Sequence, residues 1–232
     1  MNTGSESVRL ENISKHYTEG NYKLQLYHDL NLEFKSGEVS LILGRSGSGK
    51  STLLNIITGI DTPTEGNVII GEVNLTSLSE NDRTLFRRKN VGIIFQFFNL
   101  INSLSVLDNI LLPLELNGFG KSESTDRATD LLDKLGIYDK KDTFPDTLSG
   151  GEQQKVAMAR AIAHNPAIIV ADEPTGNLDA VNREIILDIL FNLVKEGSHT
   201  LIMASHSEDL TGRCDNSYYV ENLSLKKITK ND

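Results

Sequence analysis

Gly44-Arg45-Ser46-Gly47-Ser48-Gly49-Lys50-Ser51 sets glycines, a lysine and a hydroxyl at the G-x-x-x-x-G-K-S spacing. A backbone that wraps closely around phosphate oxygens leaves no room for Cβ atoms at Gly44, Gly47 and Gly49. Its exposed N–H groups, with the helix start at Lys50, form an anion nest. Lys50 is expected to neutralise the β- and γ-phosphates of a nucleoside triphosphate, and the Ser51 hydroxyl to bind Mg²⁺. Arg45, Ser46, Ser48 and Thr52 complete the loop and its entry into the helix.

Two further segments carry chemistry. Ile168-Ile169-Val170-Ala171-Asp172-Glu173 is an apolar run ending in two carboxylates. A buried strand of this kind delivers acids to its carboxyl end, where open α/β sheets bind ligands. Asp172 suits Mg²⁺, held through water, and Glu173 suits orienting or deprotonating an attacking water. Leu148-Ser149-Gly150-Gly151-Glu152-Gln153 is a loop and helix start that phosphate-loop enzymes in general do not need.

These segments need elements to position them. Alternation predicts strands at Val8–Ile13, Leu24–Tyr27 and Leu30–Phe34, half-buried and antiparallel. Val39–Leu43 is continuously apolar, as a strand buried on both faces would be, and runs into the glycine loop. Lys50–Thr58 opens a helix, and Asn67–Ile70 predicts another strand. Helical spacing marks Leu107–Leu116 and Asp126–Leu135, with Ser124 as a cap for the latter. Ser149–Ala163 is predicted as a helix, Ala167–Ala171 as a strand, Ala180–Val194 as a helix and His199–Ala204 as a strand. Strand–helix–strand order implies a mostly parallel sheet with right-handed crossovers. The α/β chain is expected to be a single domain over 1–232. Residues 1–85 and 163–232 would form its core lobe, and strand-poor 86–162 an inserted helical lobe.

Composition narrows the function classes. A formal charge of −9 argues against a broad electrostatic surface for DNA or RNA. The single Cys214 cannot form an internal disulfide, which fits a reducing compartment. No apolar run reaches transmembrane length, and the polar start Met1–Glu6 is unlike a signal peptide. The expectation is a cytosolic protein that reaches a membrane only through another subunit.

The chain resembles the nucleotide-binding subunit of ATP-binding cassette (ABC) transporters over essentially its whole length. The likeness rests on the phosphate loop, Leu148–Gln153 as the family signature, the strand ending Asp172-Glu173, and Asn177-Leu178-Asp179 after it. It also rests on Gln96 at the glutamine-loop position and His206 at the switch-histidine position after a strand. The resemblance implies an ABC-type nucleotide-binding domain. That fold has a RecA-like, mostly parallel sheet, N-terminal antiparallel strands and an inserted helical subdomain. It also implies an ATPase using ATP and Mg²⁺, in which two subunits face head to tail. ATP then sits between one phosphate loop and the other subunit's Ser149, Gly150 and Gly151. Gln96 would bind Mg²⁺ or water, His206 would donate to the γ-phosphate, Asp179 would tie the opposing sites together, and Tyr17 would stack on adenine.

Phe95-Gln96-Phe97-Phe98-Asn99-Leu100, Ser105–Ile110 and Glu173–Asp179 resemble the lipoprotein-releasing and macrolide-exporter branch. That branch implies a four-helix membrane permease with a large extracytoplasmic domain, a second and identical ATPase subunit, and a place on the cytoplasmic face of the membrane. Phe97, Phe98, Leu100, Leu104 and Leu107 would supply a groove for the permease. Ser205-His206-Ser207, Lys155 and Asn102 depart from the commonest pattern without removing a catalytic group. Rival readings are a soluble ABC ATPase of nucleic-acid repair or translation, and a mechanotransmission regulator that transports nothing. The short spacing between motifs, the single cassette and the acidic charge oppose the first. Intact Lys50, Asp172, Glu173 and His206 oppose a subunit without turnover.

Overall fold

The computed structural model describes residues 6–20, 22–197 and 199–228; the polar start Met1–Ser5 lies outside them. The strands and helices run in the order β1 (Val8–Glu19), β2 (Tyr22–Phe34), β3 (Val39–Leu43), α1 (Lys50–Ile57), β4 (Glu65–Ile70) and β5 (Val73–Asn74). Then come α2 (Glu80–Asn90), β6 (Val91–Ile94), α3 (Val106–Leu116), α4 (Lys121–Lys134) and α5 (Gly150–Ile162). The chain closes with β7 (Ile168–Asp172), α6 (Ala180–Gly197), β8 (Thr200–Ser205), β9 (Asn216–Glu221) and β10 (Ser224–Lys227). Among the described residues no helix is long and apolar enough to cross a membrane.

Two sheets organise the core. One is antiparallel, in the order β2-β1-β4-β5; the other runs β10-β9-β3-β8-β7-β6, parallel from β9 to β6. Alternate residues of the central strands feed opposite faces. Ile42, Ile168, Val170, Ile202 and Ala204 pack towards α1 and the antiparallel sheet. Leu41, Leu43, Ile169, Ala171, Leu201 and Met203 pack towards α5 and α6. A strand with both faces covered reads as a continuous apolar run, which is why β3, β7 and β8 were legible. A third cluster, around Val106, Ile110, Ala128, Leu132 and Val156, joins α3, α4 and α5.

Several local expectations change. Leu24–Tyr27 and Leu30–Phe34 are parts of one strand, β2, because left-handed Asp29 (φ 48°) absorbs an irregularity without a turn. Asn12 (φ 54°) answers it on β1, its side-chain amide donating to Asp29 Oδ1 at 2.7 Å. Ser124 is not a cap: α4 begins at Lys121 behind Gly120, and Ser124 is buried one turn inside. Strand-poor 86–162 contains β6, which pairs in parallel with β7. Its four residues fall below a readable alternation. Gly92 admits the end of α5 there, since a Cβ would lie 2.3 Å from the Ala161 carbonyl oxygen. Helix α2, with none of its residues buried, carries no apolar stripe to read.

His164 follows α5 and is buried; burial lowers its pKa to about 4, helped by the charges of His199 and Arg127. The unfolded chain therefore takes up a proton near pH 6.5 that the folded chain refuses. Stability is expected to fall by roughly 2 kcal/mol between about pH 7 and pH 5 through this group alone. Urea midpoints should show His164→Leu losing less over that range than the parent; equal losses would remove His164 as the cause.

Candidate functional site

The glycine loop leaves β3 at Leu43 and enters α1 through Gly49. Gly49 has φ +99°, and a Cβ there would lie 3.3 Å from the buried Tyr27 ring. The left-handed turn and the aromatic floor together call for glycine. Lys50 folds back over the loop, its buried Nζ donating to the Gly44 carbonyl at 2.8 Å and the Arg45 carbonyl at 3.4 Å. The N-terminal N–H groups of α1 open into the same space.

Strands β3, β8 and β7 are parallel neighbours, so their carboxyl ends converge. One end gives the phosphate loop, the next His206, the third Asp172 and Glu173. Glu173 has φ 45°, unusual for a side-chain-bearing residue, and its N–H donates to the Ala204 carbonyl at 3.0 Å. Its carboxylate sits 3.7 Å from Lys50 Nζ, with Oε2 3.0 Å from His206 Nδ1. Burial pushes the Asp172 carboxyl pKa up; the Ser51 hydroxyl and Lys50 oppose this, and the Glu173 charge adds to it. Asp172 Oδ1 is buried without a hydrogen-bond partner.

Gln96 follows β6, and its carbonyl accepts from Asn177 Nδ2 at 2.8 Å. The loop beyond it is strained, with φ 59° at Phe98 and 50° at Asn99. Arg160 holds both, Nη1 donating to Asn99 O at 2.6 Å and Nη2 to Phe98 O at 2.9 Å. Buried Asn109 secures the far end through Ile101, Leu104 and Ser105 backbone atoms. Tyr17, residues 46–52, Gln96, Asp172, Glu173 and His206 line one cavity of about 490 Å³, which is large enough for a nucleotide.

The signature segment lies elsewhere. Ser149 is exposed and caps α5 in a reciprocal box with Glu152. Its N–H and hydroxyl donate to Glu152 Oε2, each at 2.8 Å, and these bonds lower the Glu152 pKa. Asp179 accepts from the Val181 and Asn182 N–H groups, each at 3.1 Å, and from Asn182 Nδ2 at 2.6 Å. Asn182 Oδ1 in turn lies 3.3 Å from where a Gly151 Cβ would stand. Neither Ser149, Gly150, Gly151 nor Asp179 lines the cavity.

A family model described as ABC transporter matches residues 27–176. The chain belongs to the ABC transporter ATP-binding family. An uncharacterised ABC transporter ATP-binding protein of Mycobacterium tuberculosis is 51% identical over 208 residues, 90% of this chain and 84% of that protein. The lipoprotein-releasing system ATP-binding protein LolD of Treponema denticola is 36% identical, across 95% of this chain and 98% of LolD. Among solved structures, a dimeric post-hydrolysis state of the ATP-binding cassette MJ0796 with ADP and Pi superposes with TM-score 0.88 at 36% identity. It covers 96% of this chain and 98% of that one. The protein is therefore an ATPase subunit with the cassette fold expected from the motifs.

In this cassette the sequence-marked Tyr17, Ser46–Thr52, Gln96, Asp172, Glu173 and His206 meet in one cavity. Gly44 and Arg45 stand at its edge, where their carbonyls hold Lys50. Three contributors were not marked: Tyr27 beneath Gly49, Arg160 on the glutamine loop, and Asp61 beside Tyr17. Asn177 was marked as part of the loop after Glu173, but not for its bond to the glutamine loop. Arg160 stands on α5, the helix that the signature opens, and packing decided its role as it did the others.

Arg160→Met should cost roughly 1–3 kcal/mol, because two charge-assisted bonds to strained backbone are lost. Chemical denaturation measures this, and an unchanged midpoint would show that the loop holds its shape unaided.

Proposed function

We propose that this chain works as a pair, closing head to tail on ATP and Mg²⁺ to drive a membrane complex for lipoprotein release or efflux. The observation that carries this reading is the division of the site. One chain brings the phosphate loop, Gln96, Asp172, Glu173 and His206 into one cavity and leaves Ser149, Gly150 and Gly151 outside it. A second, identical chain turned head to tail supplies the missing half. The dimeric relative bound to ADP and Pi supports the pairing of two cassettes.

The chemistry follows from the charges. The β- and γ-phosphates fit the glycine loop, over which two loop carbonyls hold the Lys50 ammonium. Ser51, Gln96 and Asp172 offer oxygens of the hard type that Mg²⁺ takes, and the unpartnered, buried Asp172 Oδ1 suits such a role. Among the described residues no group of three His, Cys, Asp or Glu could hold a metal by itself, so phosphate oxygens would complete the set. Mg²⁺ when bound would supply charge stabilisation on those oxygens. Glu173 takes the proton of the attacking water as the new P–O bond forms and the bond to ADP breaks. Lys50 and His206 engage that carboxylate. An incoming γ-phosphate competes for both and leaves Glu173 free for water. From the second chain, Ser149 must release Glu152 before its hydroxyl can donate to the phosphate.

The membrane partner is an integral permease, of the four-helix kind with a large extracytoplasmic domain, met on the cytoplasmic face. The LolD relative supports this branch. Phe97 is 72% exposed and Ile101 is exposed, while Phe98, Leu100, Leu104 and Leu107 are half-buried, Leu100 and Leu107 against the helical-lobe cluster. Exposed apolar side chains on such a segment suit an inserted helix.

Glu173→Gln should slow hydrolysis roughly a hundred- to thousandfold while retaining ATP binding. With ATP and Mg²⁺ it should elute as a dimer on size exclusion. Purification of that variant from native membranes in mild detergent should recover a four-helix membrane protein. Unchanged turnover would remove Glu173 from its role, whereas recovery of only soluble or ribosomal partners would overturn the membrane assignment.

A further inference from the structure

Tyr17 does not stand alone at the cavity mouth. Lys15 lies two residues before it on β1, on the same side of a strand whose register is irregular at this point. Its ammonium sits 4.7 Å from the Tyr17 ring centroid, and the Lys15 side chain is only 9% exposed. Nζ also donates to Asp61 Oδ1 and to the Thr62 carbonyl, each at 2.8 Å. Asp61 closes the circuit, accepting from the Tyr17 hydroxyl on Oδ2 at 2.8 Å and from the Thr62 N–H on Oδ1 at 2.7 Å. Tyr17 itself is 45% exposed and lines the cavity beside Leu24, Leu26 and Thr52.

This arrangement is more than strand packing requires. A buried ammonium paired with a half-buried carboxylate carries a desolvation cost that an apolar pair would avoid. Both are spent on one aromatic ring, the ammonium against its π system and the carboxylate on its hydroxyl. We propose that Lys15 and Asp61 are positioning residues that hold Tyr17 as a preset platform for the base of the bound nucleotide. The proposal rests on the reading of Tyr17 as the base-stacking residue. A ring with its hydroxyl anchored and its π system held by a fixed cation loses little freedom when a base lands on it. The cation also draws electron density from the ring, which favours contact with an electron-rich purine. With its hydroxyl committed to Asp61, Tyr17 meets the base through its ring.

The test separates base from phosphate. Affinity for ATP and for inorganic tripolyphosphate, each with Mg²⁺, is measured by calorimetry on the full chain, and their ratio isolates the adenosine contribution. Lys15→Met combined with Asp61→Asn removes both charges together and avoids leaving one buried alone. That double variant should lose roughly five- to tenfold in the ratio with tripolyphosphate affinity unchanged. Tyr17→Phe, which removes only the hydroxyl bond, should lose less, and Lys15→Arg should keep the parental ratio. Tyr17→Ala is the reference. If it keeps the parental ratio, the platform reading fails. If it loses the ratio while the double variant keeps it, the platform stands and the positioning role fails. Equal weakening of ATP and tripolyphosphate in the double variant also overturns the role, because structural damage would then explain the loss.

Discussion

The structure depends on three parallel strands ending side by side. β3, β8 and β7 are each apolar on both faces, and only a sheet covered on both sides accommodates them. Parallel pairing then brings every carboxyl end to one edge. The phosphate loop, His206 and the Asp172-Glu173 pair share a cavity because their strands share a direction. Glu173 and His206 are 33 residues apart, and the phosphate loop lies over a hundred residues before either, so sequence alone does not bring them together.

At that edge the charges are arranged against one another. Lys50 is held by the carbonyls of its own loop, so its ammonium stays at the mouth of the anion nest rather than moving out to water. Glu173, in a left-handed backbone conformation, turns its carboxylate between Lys50 and His206. A strained residue at a functional edge persists only because the surroundings hold it, here the Ala204 carbonyl on the neighbouring strand. The same economy appears on the glutamine loop, where Arg160 and Asn177 restrain a backbone that would otherwise relax.

The helical lobe completes the logic by what it withholds. Its signature sits at the start of α5, packs by Gly151 near Asn182 beside the Asp179 cap of α6, and does not line the cavity of its own chain. On the proposed reading, two half-sites on different surfaces have to assemble in order to work. Assembly around nucleotide would then make closure sensitive to whether a third phosphate is present.

The sequence by itself determined the local chemistry. Glycine at the phosphate loop, the apolar runs of β3, β7 and β8, the carboxylates at a strand end and the helix start at Ser149 are each written within a few neighbouring residues. Steric and periodic rules act at that range. Tertiary structure decided the rest, because it depends on contacts between distant segments. Ser124 changed from cap to core once Gly120 started α4 a turn earlier. β6 became a strand because β7 offered it an edge, and β2 stayed whole because Asn12 answered Asp29. Tyr27 under Gly49, Arg160 on the loop carbonyls, and Lys15 and Asp61 around Tyr17 have no local signature, since a side chain's partner is set by where the fold brings two segments together.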